Sequence, residues 1–214
     1  MSGRSWIVVL VLIAGIGWWF SPAAPHAGDA PETADGLPIT CTMPLRVEAF
    51  ESPRQTPVPS TQTPFRLEAA TLTPLAGFSV DARVLSRKDY RSDREANLSP
   101  TDLALGWGAM RNEAILSRLE ISQSGRWYHY RWSGDAPLPP AEIAHSSANM
   151  HMIPANAAVA EALDDVREGE RVRIDGWLVE ATTPEGWRWR SSTSRTDTGS
   201  GACELVYVCA LTRL

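Results

Sequence analysis

The sequence predicts a small domain of the α+β class that is mainly β, a Greek-key barrel with one or two helices, preceded by a membrane segment and a Pro-rich tether. Three observations predict this arrangement. Residues 6–20 lack polar side chains, nine of the 16 prolines fall between Ser21 and Pro64, and alternating patterns dominate after Phe65. Alternation of apolar and polar residues is typical of strands that bury one face.

The composition excludes two classes of protein. The 214 residues carry a net charge of −5, and charged residues make up 21% of them. A strongly basic nucleic-acid binder would have a positive net charge, and an acidic disordered protein would have a larger share of charged residues. We therefore expect no nucleic-acid partner. Hydrophobic residues account for 43%, which is enough to build a core. Three cysteines are too few for a scaffold that is built on disulfides.

The N-terminal apolar segment predicts a membrane anchor. With its small flanking residues, Trp6–Phe20 approaches the thickness of a bilayer, and its terminal rings suit the headgroup layer. Arg4 precedes the segment and no Lys or Arg follows before Arg46, so the positive-inside rule places the N-terminus in the cytoplasm and the C-terminal domain in the periplasm. Ser21-Pro22-Ala23 also satisfies the small-x-small rule for signal cleavage, which leaves secretion after cleavage open.

These features divide the chain into three parts. Residues 1–24 form the anchor of an inner-membrane protein with a single span, or a signal sequence. Residues 25–64 form the tether, because their Pro spacing favours an extended and partly stiff chain. Residues 65–214 form a β-rich extracytoplasmic domain. We expect contact with the membrane through residues 6–20.

Strand patterns open the domain. Residues 65–70 and 78–84 alternate between apolar and polar side chains. Ser99 and Pro100 then predict a helix start, with Ser as N-cap and Pro at the first helical position. Asn112 predicts the cap of a second short helix.

A hairpin and a better helix follow. Residues 120–132 predict a hairpin around a Ser-Gly turn. Asn156 predicts an N-cap, because good helix formers follow with apolar residues on one face. The chain then returns to strands, which are predicted at 171–180, 187–194 and 202–211. Many strands with few helices favour an α+β domain or a closed Greek-key barrel.

The C-terminal part carries a family resemblance. Glu168–Val179 resembles the G-[DE]-x-V-x-[IV]-x-G-x-[LIV] strand of oligonucleotide/oligosaccharide-binding (OB) barrels. Through His145–His151, Gly186–Ser192 and Gly199–Glu204, this part also resembles single-span proteobacterial envelope proteins. The resemblance implies an OB-like barrel in the cell envelope and supplies no activity. Within the motif, Gly176 also permits the bend that a closing barrel needs.

The cysteines allow one disulfide. Cys203 and Cys209 lie six residues apart in a predicted strand, which is too far for a bond between them. In an oxidising compartment Cys41 can pair with either one, and we favour Cys41–Cys203 over Cys41–Cys209. Buried free thiols are the alternative.

The candidate binding residues are polar and aromatic side chains of the C-terminal part. Trp and Arg alternate along residues 187–190, and the hydroxyl-rich loop 191–201 follows them. Rings and guanidinium groups suit sugars, nucleotides or peptides, and the segment 145–151 adds donors and acceptors. The predicted binding residues are Trp187, Arg188, Trp189, Arg190, Ser192, Arg195, Asp197, His145, Asn149 and His151. The alternative is that the two Trp rings fill the barrel.

A second aromatic strand is also a candidate. Arg126–Trp132 carries rings on both faces, so we expect one face to pack on the core and the other to be open to a binding partner. No cofactor or metal site is predicted. His145 and His151 lie six residues apart, with no third ligand of the right type near them in sequence.

These patterns predict a non-catalytic envelope protein that binds a ligand or a partner, such as an envelope protein or a glycan. The first alternative is a Cys/His acyl-transfer enzyme that acts on cell-wall material. In it Cys203 is the nucleophile, His145 or His151 is the base and Arg195 clamps an anion. This enzyme requires a free thiol of low pKa. The second alternative is a structural subunit of an envelope complex, with the Trp-rich strands as its interface.

Overall fold

The computed structural model describes residues 41, 47, 51–194, 197 and 202–214. The predicted anchor at Trp6–Phe20, most of the predicted tether and Arg195 lie outside the described residues. In the part that is described, no helix combines the length and the apolar character that crossing a membrane requires.

Strands dominate the described chain. They are β1 (Arg54–Thr56), β2 (Phe65–Arg66), β3 (Thr71–Asp89), β4 (Thr101–Gly106), β5 (Glu120–Ser124), β6 (Trp127–Arg131), β7 (Ser147–Pro154), β8 (Arg171–Thr182), β9 (Arg188–Arg190) and β10 (Glu204–Arg213). The helices are α1 (Glu113–Leu116), α2 (Pro140–His145) and α3 (Ala157–Asp164), and a 3₁₀ turn covers Gly108–Arg111. The domain is therefore mainly β with a helical component, which confirms the predicted class.

Five strands pair in a closed ring. β3 pairs with β4, β4 with β7, β7 with β10, β10 with β8, and β8 pairs again with β3. The β7–β10 pair is parallel and the other four pairs are antiparallel. Outside the ring, β1 and β2 pair with β3, and β9 pairs with β8. Closure leaves the ring strands without a free edge that could pair with another chain.

The ring encloses the main core. Alternate side chains of each strand point inward, so Phe78, Val80 and Val84 of β3 are buried there. Val159 and Leu163 of α3 pack into the same core. The alternation that predicts a strand at residues 78–84 therefore arises because every second side chain of β3 points into this core.

Two predicted helix caps are confirmed. Asn156 Oδ1 accepts a hydrogen bond from the backbone nitrogen of Val159 at 3.0 Å, at the start of α3. Asn112 accepts one from Ala114 at 2.9 Å, at the start of α1. Each cap satisfies a backbone donor that the first turn leaves without a partner.

Two local predictions are wrong. The helix start at Ser99 and Pro100 instead precedes β4, whose six residues are all buried. The segment 145–151, interpreted as a polar loop, enters β7 at Ser147. In both places pairing within the ring outweighs the local preference for a cap or a loop.

The β5–β6 hairpin packs on the outside of the ring. Gly125 and Arg126 form its two-residue turn, with φ angles of 56° and 67°. Positive φ at both positions is the geometry of a type I′ turn, which suits the twist of paired strands. From the hairpin, Ile121, Tyr128 and Tyr130 pack against an apolar cluster that includes residues of β3, β4 and α2. The hairpin thereby places aromatic rings beside β7.

The disulfide differs from the favoured prediction. Cys41 is bonded to Cys209 of β10, and Cys203 is the free thiol, so the Cys41–Cys203 pairing is wrong. The register of β10 against β8 shifts between Val208 and Ala210, which makes Cys209 the extra residue of a bulge.

The folded part of the chain begins before residue 65. Because β1 lies in the stretch predicted as tether and pairs with β3, the folded part reaches back at least to Arg54.

Removal of the disulfide by Cys209→Ser is expected to lower the free energy of unfolding by about 2–4 kcal/mol. The bond joins residues separated by 168 positions and so restricts the unfolded chain strongly. The measurement is urea unfolding of the oxidised protein. Cys203→Ser is the matched control, because it removes a thiol that bonds no other cysteine. A loss of the same size in Cys203→Ser, or peptide mapping that links Cys41 to Cys203, would contradict the pairing.

Candidate functional site

A buried ionic cluster lies on the outer face of β4 and β7. Asp102 has no exposed surface, and its carboxylate accepts from Arg126 Nη1 at 2.9 Å and from Asn149 Nδ2 at 3.2 Å. His151 Nδ1 lies 2.9 Å from the same carboxylate. Asp102 and His151 are directly opposite in the β4–β7 pairing, so their side chains leave the sheet on the same face. The cluster thus follows from the strand register.

Arg126 enters this cluster from the hairpin turn. Its Nε and Nη2 donate to both carboxylate oxygens of Asp93 at 2.8 and 2.6 Å, and its Nη1 donates to the Ser99 carbonyl at 2.8 Å. The guanidinium lies 3.7 Å from the centre of the Tyr90 ring. Burial alone lowers the pKa of Arg126, but its bonds to Asp93 and the charges of Asp93 and Asp102 outweigh that effect and raise the pKa. The group therefore stays charged.

Three predicted binding residues are part of this cluster or pack against it. His151 is 3% exposed, and its ring centre lies 4.7 Å from the ring centre of Trp189. Asn149 also accepts from Gln123 Nε2 at 2.6 Å and donates to the Arg126 carbonyl at 3.1 Å. The hydrogen bonds of Asn149 to Gln123 and Arg126 therefore hold the hairpin on the barrel, and His151 bonds to Asp102 within the cluster.

The alternating Trp/Arg strand has two different faces. Arg188 and Arg190 are exposed and donate to the two oxygens of Glu180 at 2.6 and 2.9 Å, and these hydrogen bonds lower the pKa of Glu180. On the other face, the rings of Trp187 and Trp189 lie 5.8 Å apart between centres. The Trp face is partly buried and the Arg face is solvated.

The remaining predicted residues are divided. Ser192 is buried and donates to Asp197 Oδ2 at 2.6 Å. His145 is exposed in the last turn of α2. Arg195 lies outside the described residues. The structure therefore does not bring the described members of the predicted set together on one surface.

A cavity of about 180 Å³ opens where the hairpin, the start of β7 and the segment before β10 meet. Four rings line it, those of Trp107, Trp127, Tyr128 and Tyr130, and we call it the aromatic pocket. Its polar lining comes from Ser147, Asn149, Ser194, Asp197, Cys203 and Glu204. Of the sequence-predicted residues, Asn149, Asp197 and Cys203 contribute to the wall.

Several polar groups of the aromatic pocket already bond within the fold. The Tyr128 hydroxyl lies 3.0 Å from Ser147 Oγ, which donates to the Ile143 carbonyl at 2.6 Å. An occupant would therefore meet mainly ring surface. Trp127 is 40% exposed, so its ring is accessible from solvent.

The thiol of Cys203 is not activated. Burial raises its pKa, and the negative charges of Asp102 and Asp197 raise it further, to about 11. At neutral pH the thiol is protonated, whereas a nucleophilic cysteine needs a thiolate. Within the described part of the chain, no hydrogen bond joins Cys203 to His145 or His151. This environment does not favour the acyl-transfer alternative.

Asp102, Trp107 and Glu204 were not predicted as site residues, and Arg126 was included only as the first residue of the candidate aromatic strand. Asp102 had a usable signal, because a carboxylate next to the apolar run Leu103–Leu105 in a buried strand needs a partner. No sequence signal indicated the ionic role of Arg126, since its partners Asp93 and Asp102 lie on segments that only the fold brings together.

Comparisons with known proteins provide no information about the function of this site. No family model matches the chain, and neither a curated protein nor a solved structure is significantly similar to it. The described chain is a mainly β domain with a closed ring of strands, an outer hairpin and an aromatic pocket beside them.

Proposed function

We propose that the chain is a membrane-tethered, extracytoplasmic binding module, and that the aromatic pocket holds a small chemical group of its ligand. The observation that carries the proposal is the pocket itself, a cavity walled by four rings, of which Trp127 is the most accessible. Aromatic rings offer large, rigid contact surfaces, and ligand sites in proteins are typically concave and lined by them.

The proposal includes an OB-type barrel. The ring order β3-β4-β7-β10-β8 corresponds to a five-stranded Greek-key barrel in which the first strand pairs with the second and the fourth. OB barrels bind ligands on the face of their second and third strands and through the loop between the fourth and fifth. In this chain those elements are β4, β7 and the segment before β10. The aromatic pocket adjoins β7 and that segment.

Two features support a location outside the cytoplasm. The Cys41–Cys209 disulfide is typical of oxidising compartments such as the bacterial periplasm. Trp6–Phe20 has the apolar character of a membrane anchor, with the N-terminus on the cytoplasmic side. The ligand is then a component of the envelope, such as a glycan or a side chain or headgroup of a partner.

The pocket is tested by NMR titration of the purified domain with three small probes: methyl β-D-glucoside, choline and 3,3-dimethylbutan-1-ol. We expect at least one of them to shift the indole Nε1 signal of Trp127 saturably. Trp127→Ala is expected to weaken that binding by about tenfold, because it removes the most accessible ring. Binding in the variant is followed through the Trp107 indole, which lines the same pocket.

His129→Ala is the matched control, because His129 lies on β6 with an exposed side chain and does not line the aromatic pocket. It should leave the affinities unchanged. The absence of a saturable shift with all three probes would contradict the proposed function. Equal affinity in wild type and Trp127→Ala would contradict the location of the site.

A further inference from the structure

We infer that the β5–β6 hairpin is a latched wall of the aromatic pocket, which opens as a unit while the ring of strands stays folded. This inference rests on the proposed function, because it names how binding at the same pocket is controlled. Opening removes three of the four rings of the pocket, those of Trp127, Tyr128 and Tyr130. A ligand that contacts these rings and the opposite wall therefore favours the closed hairpin.

The first argument is how the hairpin is joined to the ring. β5 and β6 form a two-stranded sheet of their own, so no ladder of backbone hydrogen bonds connects them to the five ring strands. Every residue of 120–131 is half-buried or exposed. Few buried apolar contacts are typical of segments that open locally. The buried residues of the cluster on which the hairpin packs all lie outside it, and they are Leu85, Ala104, Met110 and Ile143.

The second argument is the chemistry of the hairpin tip. The guanidinium of Arg126 donates to Asp93 and Asp102, and Gln123 Nε2 donates to Asn149 Oδ1 at 2.6 Å. We call these contacts the latch. When the tip lifts, the separated charges regain their hydration, which offsets much of the lost attraction. An apolar tip would instead expose apolar surface to water. The polar latch therefore fixes one closed position and keeps opening less costly than unfolding of the ring.

The third argument is the backbone of the residue that makes the latch. In the described part of the chain, Arg126 is the one non-glycine residue with a positive φ, at 67°. Glycine fills such a turn position without strain. Strained residues of this kind are concentrated at binding sites and switch regions, where their contacts hold them in place. Here the hydrogen bonds of the guanidinium offset the strain in the closed hairpin.

The opposite wall of the pocket belongs to the ring. Trp107 is 3% exposed and packs in the main core, and Ala148 and Asn149 lie on β7. Opening therefore separates the hairpin rings from a stationary wall. A ligand that needs both walls must leave before the hairpin opens, so it slows opening by the factor by which it occupies the closed pocket.

Hydrogen exchange of the backbone amides in the purified protein tests the opening. It is measured residue by residue by NMR at several urea concentrations below the unfolding transition. We expect the amides of residues 120–131 that bond within the hairpin to exchange about hundredfold faster than those of β3 and β8, and with a weaker dependence on urea. The same rate and the same urea dependence in the hairpin and the ring would overturn the inference, because the hairpin would then open only when the ring unfolds.

Two variants separate the latch from general stability. Asp93→Asn weakens the latch and leaves Arg126 in place, and the Asp93 side chain is 32% exposed, so this variant is expected to fold. It should speed exchange in the hairpin about tenfold. Val80→Ala is the matched control, because Val80 is fully buried in the core that the ring encloses. It should speed exchange in the ring about tenfold and leave the hairpin unchanged.

The variants give two results that would overturn the inference. One is unchanged exchange of the hairpin amides in Asp93→Asn, since the latch would then not hold the hairpin. The other is an equal acceleration of the hairpin and ring amides in Val80→Ala, since the two would then open together.

Coupling to the pocket is tested with the probe that binds most tightly among methyl β-D-glucoside, choline and 3,3-dimethylbutan-1-ol. At ten times its dissociation constant, we expect it to slow exchange in the hairpin about tenfold. Saturable binding that leaves this exchange unchanged would overturn the coupling and leave the binding module intact. No saturable binding of any probe would overturn the proposed function and the coupling with it, whereas exchange in the unliganded protein decides the opening by itself.

Discussion

Replacement of Arg126 by methionine is expected to lower the free energy of unfolding by about 3–5 kcal/mol, because it leaves buried negative charge without its partner. Asp102 is fully buried, and Arg126 is 12% exposed at the side chain and bonds to it at 2.9 Å. Asp93 loses two hydrogen bonds in the same substitution. Removal of one partner of a buried pair costs far more than an exposed ion pair contributes.

The backbone conformation of Arg126 allows the effect of the lost charge on stability to be measured separately from the effect of backbone strain. Its φ of 67° lies in the left-handed region, which costs a non-glycine residue about 1 kcal/mol. Arg126→Gly relieves this strain but still removes the guanidinium. We therefore expect Arg126→Gly to be destabilised, but by about 1 kcal/mol less than Arg126→Met.

Urea unfolding at neutral pH measures these losses. Arg131→Met is the matched control on the same hairpin, because Arg131 pairs with Glu120 on the surface, where their side chains are 80% and 70% exposed. This control should change stability by less than about 1 kcal/mol. Asp102→Asn combined with Arg126→Met should recover part of the loss, since it removes the unpaired charge. Equal losses in Arg126→Met and Arg131→Met would contradict the importance of the ionic cluster.

The sequence predicts much of the fold because its local signals agree with the final packing. The strand period of β3, the hairpin around Gly125 and the caps at Asn112 and Asn156 are all local, and each is present in the structure. The helix predicted at Ser99 and Pro100 fails because its local signal conflicts with long-range pairing. In β4 the buried strand partners on both sides outweigh a good cap.

The site is harder to predict because it depends on contacts between distant segments. The aromatic pocket combines Trp107, the rings of β6, the start of β7 and residues near Cys203. These segments are far apart in the sequence, and no local pattern indicates that they come together. The Arg126–Trp132 strand was a candidate surface, and three of its rings do line or flank the pocket. For His151 the residue type was right for binding, but its neighbours bury it.

The choice of disulfide partner shows the same limit in a single strand. Cys203 and Cys209 are six residues apart, so simple alternation treats them alike. The difference comes from the bulge, which makes Cys209 an extra residue between two paired positions. Cys209 and Cys41 both pack against an apolar cluster that includes Leu72, Trp177 and Tyr207. A bulge depends on the partner strand, so the sequence of β10 alone does not reveal it.

Gly176 is the residue of β8 that faces this bulge, and Gly176→Ala is expected to cost about 4 kcal/mol or more. In the ring it is paired with Phe78 on one side and with Val208 on the other. A Cβ at this position would lie 2.0 Å from the carbonyl oxygen of Tyr207 and 3.2 Å from the nitrogen of Cys209. Both contacts are with backbone atoms of β10, which cannot rotate away as a side chain can.

The expected loss therefore arises from ring closure and not from helix or strand propensity. The sequence predicts a bend of the barrel at Gly176. The structure adds that the missing side chain at Gly176 allows the backbone of β10 to approach β8 closely. Gly186→Ala is the matched control, because its φ of 87° strains the new residue while nothing lies within 4 Å of its Cβ. We expect that control to lose about 1 kcal/mol.

Urea unfolding and the yield of soluble, oxidised protein measure the difference between the two glycine variants. If β8 cannot approach β10 in Gly176→Ala, Cys41 and Cys209 should also fail to pair, and iodoacetamide should label all three cysteines instead of Cys203 alone. Gly186→Ala should keep the single label. A Gly176→Ala protein with normal stability and one reactive thiol would mean that β8 and β10 do not approach as closely at this position as the ring requires.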